Sequence, residues 1–143
     1  MTDTASLPRG VRNNNPGNIR RSKPSIPWRG LAANQNDEEF LVFDSPEWGL
    51  RAIAKILLHY QAEGLATVRQ MIGHWAPSVE NDTEAYVRAV AGEMGVGANE
   101  PLDLANRPLQ LRFFVEAIVH QENGQQPYST DQLVRGVALA RAA

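Results

Sequence analysis

Residues 40–60 read FLVFDSPEWGLRAIAKILLHY. Phe40, Leu41, Val42 and Phe43 are aromatic or aliphatic and suit a short strand. Ser45 is a good helix N-cap, Pro46 suits the first helical position, and Glu47 complements the positive end of the helix dipole. From there Leu50, Ile53, Ile56, Leu57 and Tyr60 recur by threes and fours, which is one face of a helix. Gly64 supplies the stop. The chain therefore changes character near residue 44, from strand-like and turn-rich to helical.

Downstream the helical pattern continues. A short second helix is expected from about Val68 to Trp75, with Val68, Met71, Ile72 and Trp75 as its stripe and Pro77 closing it. A third starts at Asn81 or Asp82, where Asn81 and Glu84 resemble a capping box. Tyr86, Val87, Val90 and Met94 line its face, and Gly95 ends it. Residues 96–105 (VGANEPLDLA) read as a loop. A fourth helix runs from about Pro108 to Glu122. The last begins at Ser129, with Gln132 completing a capping box, and turns Leu133, Val137 and Ala140 inward. Trp48, Trp75, Phe113 and Phe114 fall on helices and are expected in the core.

Upstream, three short strands are expected, around residues 18–20, 28–31 and 40–43. The segments RSKPSIP and AANQNDE between them are turn-rich. The expected fold is α+β and mostly α: about five helices beside a small β-lobe at residues 13–44. Residues 1–8 read as a flexible arm, and 9–143 as a single domain.

Composition narrows the function. At 143 residues and 43% hydrophobic, the chain can bury a core and is not a disordered type. No apolar run spans a membrane, and MTDTASLPRG is not a signal peptide. Cysteine is absent and the three histidines are far apart, so neither a metal nor a thiol centre is expected. The net charge is −2, unevenly spread: residues 1–36 hold six basic residues and one acid, and residues 37–143 eight basic and fifteen acidic. A basic part on an acidic body fits an anionic partner, such as nucleic acid or the carboxylate-bearing bacterial cell wall. It equally fits a solvated arm.

Glu122 stands out. Leu111, Val115 and Ile118 mark the buried stripe of the fourth helix, and the next step of four lands on Glu122, where a Leu would be expected. It also lies in the last helical turn, before Asn123 and Gly124. The helix dipole and partial burial both disfavour an anion there, which is the setting a general acid needs. The plainer reading is a frayed-end Glu in solvent.

RNNNPGNIR at residues 12–20 is neither regular helix nor central strand. Its amides either fold back to build a rigid turn or, with Arg20, line a polar cleft that binds sugar hydroxyls and acetamides. Trp28 in PWRG is either a stacking platform for a sugar or base, or a plug that anchors the strand region. Asp37, Glu38 and Glu39 usually form only a solvated turn. If a second carboxylate assists Glu122, it is Glu38, Glu39 or Asp44, although Asp44 also suits capping the next helix.

Residues 14–20, then Trp28, Arg29 and Gly30, then residues 40–45 running into a helix, resemble the β-lobe of lysozyme-fold peptidoglycan hydrolases, closest to flagellar-type glucosaminidases. Asn81, Asp82 and Thr83 followed by Tyr86 are similar to the Tyr-bearing helix start of that family. The usual catalytic Glu ends a helix before the β-lobe. Here AIVHQENG at residues 117–124 looks like that helix end, placed after it, so the resemblance implies a circularly permuted lysozyme-like domain. Residues 9–140 also resemble small phage virion-associated hydrolase or transglycosylase-like proteins and their prophage copies.

The resemblance implies cleavage of a β-1,4 glycosidic bond of peptidoglycan, lysozyme- or muramidase-like, with Glu122 protonating the leaving oxygen. Asn15, Asn18, Arg20, Trp28 and Tyr86 are the implied sugar contacts, and no cofactor is needed. Without a second carboxylate, Glu122 acts as acid and then base, the substrate acetamide assists, and a 1,6-anhydro sugar results, as in lytic transglycosylases. With Glu38, Glu39 or Asp44 opposite, hydrolysis follows. The implied setting is synthesis in the host cytoplasm and action on the periplasmic cell wall after delivery by a virion, by lysis or by a contractile apparatus. A non-catalytic phage structural or adaptor protein that binds glycan or another virion or secretion-apparatus subunit is the alternative. A nucleic-acid module fits less well, because no such motif is present and the body is acidic.

Overall fold

The computed structural model describes residues 7–77 and 82–142. Six helices follow in order: α1 (Arg9–Arg12), α2 (Pro46–Ala62), α3 (Val68–Trp75), α4 (Thr83–Met94), α5 (Pro108–Asn123) and α6 (Thr130–Arg141). The five longer ones match the expected helices. Ser45 occupies the N-cap position of α2 with Pro46 at the first helical position, but its side chain makes no cap hydrogen bond; three other starts are capped. Thr67, Asp82 and Ser129 accept from the backbone N–H three residues on, and Ser129 with Gln132 closes a capping box. Gly95 and Gly124 end α4 and α5 in the left-handed conformation. The capping box expected at Asn81 falls on a residue outside those described. So do residues 1–6 of the expected arm, whose far end is fixed: the Pro8 carbonyl accepts from Arg12 N–H.

The expected stripes form one core. Leu50, Ile53, Leu57, Met71, Ile72, Leu111, Val115 and Ile118 are fully buried, and α5 lies between α4 and α6 with α2 packed along α6. Each such side chain contributes about 1.5–3 kcal/mol of burial. Phe113 departs from expectation. It is 39% exposed beside buried Phe114, with the Arg112 guanidinium over its ring.

The N-terminal third needs two corrections. It opens with the helical turn α1, too short for periodicity to reveal. The three expected strands also do not form a ladder: among the described residues only two isolated antiparallel bridges occur, Arg20 with Phe40 and Leu31 with Phe43. The described chain is thus mostly helical. The reason lies in where the backbone groups of residues 41–44 go. Leu41 N–H donates to Ile19, Phe43 N–H to Asn13 and Asp44 N–H to Gly30, while Val42 N–H goes to the Gln35 side chain. Turns and amides satisfy this segment piecemeal, so no regular partner strand is required. Leu41, Phe43 and Ala52 form a second small core here, with Ile19, Trp28, Leu31 and Trp48 packed on it. No described helix is long and apolar enough to cross a membrane.

Candidate active site

Asn13, Asn14 and Asn15 tie down the turn that precedes the site. The Asn13 amide donates to Asp37 at 3.0 Å and Asn14 to the Phe43 carbonyl at 3.1 Å. Asn15 is wholly buried. Its Nδ2 donates to the Ile19 and Leu41 carbonyls, and its Oδ1 accepts from Ile19 N–H. Asn14 and Asn18 both take positive φ, which short amide side chains tolerate. The turn is tied down by these bonds and carries Asn18 into the lining of the cleft.

Asn18 meets Glu122 across the site. Its Nδ2 donates to Glu122 Oε1 at 3.1 Å. On the other oxygen, Oε2, the Tyr86 hydroxyl donates at 2.9 Å and the Trp75 indole Nε1 at 3.4 Å. Four separate segments (the Asn-rich turn, α3, α4 and α5) therefore converge on one half-buried carboxyl group. Burial, with the neighbouring Glu122 adding to it, pushes the Tyr86 hydroxyl far above its usual range. Tyr86 stays protonated, and its rotatable O–H can donate to the carboxylate or accept from the carboxylic acid.

Glu122 lies in a cleft of about 380 Å³, lined also by Asn18, Arg20, Phe40, Ile56 and Trp75. Two cations pack on Phe40: the Arg9 and Arg20 guanidinium carbons sit 4.7 and 5.1 Å from its ring centre. Arg9 also pairs with Asp37 at 2.6 Å and Arg20 with Glu39 at 3.2 Å, which fixes this edge. Two glycines make the approach possible. A Cβ at Gly17 would lie 2.7 Å from Ile53 and about 3 Å from the Trp75 ring. One at Gly10 would lie 2.7 Å from both Asn18 Oδ1 and Asn123 Oδ1.

Of the residues singled out in the sequence, Glu122, Asn18 and Tyr86 are bonded together, and Arg20 lines the same cleft. Asn15 is not free for a sugar, because its whole amide is spent on backbone. Trp28 sits in the second core and lines a separate recess of about 80 Å³, so it serves as the plug. Glu38, Glu39 and Asp44 do not line the cleft. Glu39 bonds Arg9 and Arg20, Glu38 opens on a neighbouring recess, and Asp44 is exposed. Among the described residues, Glu122 is the one carboxylate in the lining.

Trp75 is the site residue that sequence reasoning misses. It falls on an apolar stripe and reads as core, since periodicity is blind to an indole N–H. Its position in the last turn before Pro77 is the signal that sets it apart.

A mostly helical domain with a hydrogen-bonded carboxyl group in the lining of a cleft is the class that fold and site define. No family model matches the chain. It is 38% identical over 130 residues to Protein P5 of Pseudoalteromonas phage PM2, covering 90% of this chain and 79% of that protein. The chain belongs to the family of that phage protein.

Proposed function

We propose that this chain is a peptidoglycan-degrading enzyme, a circularly permuted lysozyme-like domain that cleaves a β-1,4 glycosidic bond with Glu122 as general acid. One observation carries this reading: the Glu122 carboxyl in the lining of the cleft, held by Asn18, Tyr86 and Trp75. Asn18 and Glu122 stand 104 positions apart, which suits a lysozyme-like arrangement whose acid-bearing helix follows its lobe.

In the reaction, protonated Glu122 delivers its proton to the leaving oxygen as the bond to the anomeric carbon breaks. Positive charge develops on the ring and is met by the substrate's own acetamide oxygen. A cleft lined by one described carboxylate favours the lytic transglycosylase route. The sugar's 6-hydroxyl then attacks the anomeric carbon and returns its proton to Glu122, leaving a 1,6-anhydro product. The phage relative supports a phage or prophage setting, with delivery to the cell wall by a virion or by lysis.

A second reading also has a specific observation behind it. The same three bonds join four segments, as a structural tie would, in a phage adaptor that binds glycan or another virion subunit without cleaving it. Zymography on cell wall separates the two. Wild type clears the gel and Glu122→Gln does not if the first reading holds; clearing by neither or by both equally removes Glu122 from chemistry.

A further inference from the structure

Arg20 stands at one edge of the Glu122 cleft. That residue is shared with a second recess of about 530 Å³, lined further by Arg21, Lys23, Glu38 and Glu39. The charges there are unevenly engaged. Arg20 pairs with Glu39, and Arg9 bridges Asp37 and Glu39 behind it. Arg21 gives one nitrogen to the Asp37 carbonyl at 3.0 Å, which anchors the guanidinium while its other N–H groups meet no acceptor among the described residues. Lys23 makes no ion pair among the described residues. Arg21 and Lys23 thus share with Glu38 a recess that meets the Glu122 cleft at Arg20. They are two of the six basic residues among the first 36.

We propose that this recess binds the carboxylates of the short acidic peptide carried on alternate sugars of the glycan. The inference rests on the reading of Glu122 as acting on peptidoglycan. With a sugar bond over Glu122, the chain continues past Arg20, and the peptide branch of a neighbouring sugar falls within reach of Arg21 and Lys23. Arg21 offers a planar fork for a carboxylate and Lys23 a mobile point charge. A substrate with its peptide intact is then held at two places, and a bare glycan at one.

The test uses the full chain carrying Glu122→Gln, so that binding is measured without turnover. Its sedimentation with purified peptidoglycan is compared with that on the same glycan stripped of peptides by an amidase. The expected result is roughly three- to tenfold tighter binding to the peptide-bearing form at low salt, the scale of two exposed charge pairs. Adding Arg21→Ala and Lys23→Ala should abolish that preference and leave binding to stripped glycan unchanged. Both residues are exposed, and a thermal melt verifies that the variant is folded. No preference in the parent, or a preference that survives the double substitution, overturns the proposal while the glycan reading stands. Failure to bind either glycan overturns both.

Discussion

The Tyr86 hydroxyl donates to Oε2 of Glu122 at 2.9 Å, tying the first turns of α4 to the last turn of α5. Tyr86 is 9% exposed, and its hydroxyl keeps its proton. The bond therefore has a defined direction while Glu122 is ionised and can reverse when Glu122 is protonated. In the general-acid role proposed for Glu122, it would keep a partner in both protonation states.

Tyr86→Phe removes that partner with almost no change in shape. Glycan cleavage should fall about tenfold, and unfolding free energy should drop by about 1–2 kcal/mol. Steady-state release of soluble glycan and urea titration check the two effects. A stability loss with unchanged turnover would make the contact purely structural.

Gly10→Ala places a methyl group 2.7 Å from both Asn18 Oδ1 and Asn123 Oδ1 and 2.9 Å from the Asn15 carbonyl. Overpacking of this kind costs about 1–3 kcal/mol. Because Asn18 must shift, the variant should also lose activity by more than its folded fraction explains. Urea unfolding alongside a lytic assay at low temperature separates the two.

Asn15→Ala tests a different role. The side chain is fully buried and bonds three backbone groups, so its loss should cost about 2–3 kcal/mol by leaving donors and acceptors stranded. Activity per folded molecule should stay near wild type. Calorimetry followed by assay well below the melting temperature is the measurement.

Asp37 sets a pH dependence. Hydrogen bonding from Arg9 holds its carboxyl well below the usual 3.8, helped by Phe40 N–H, the Asn13 amide and Glu39 N–H against a cost of burial. A carboxyl depressed in the folded state stabilises fully above its unfolded value and loses that contribution as pH falls toward its folded value. Asp37→Asn should therefore lower the urea midpoint by a constant amount from pH 7 to about 4, and the gap should narrow below that. A gap that widens on acidification would reverse the assigned sign.

The helical frame is legible in the sequence because caps, stops and three-four spacing are local and agree with one another. Ser129 with Gln132, and Leu111 with Val115 and Ile118, carry their own instructions. Glu122 is legible for the opposite reason, as a polar residue on an apolar register. The N-terminal third is harder to read because long-range partners satisfy its backbone: Phe43 finds Asn13, Leu41 finds Ile19, and α1 is a single turn. Trp75 hides in a core pattern, and Asn15 and Asn18 look alike until the fold buries one and aims the other.

The most direct test of Glu122 as a proton donor is mass spectrometry of the fragments released from purified peptidoglycan by wild type and by Glu122→Gln at equal folded concentration. The account predicts 1,6-anhydro fragments from wild type, with release reduced about 10²–10⁴-fold in the variant. Equal release by both chains, or no release by wild type, would contradict it.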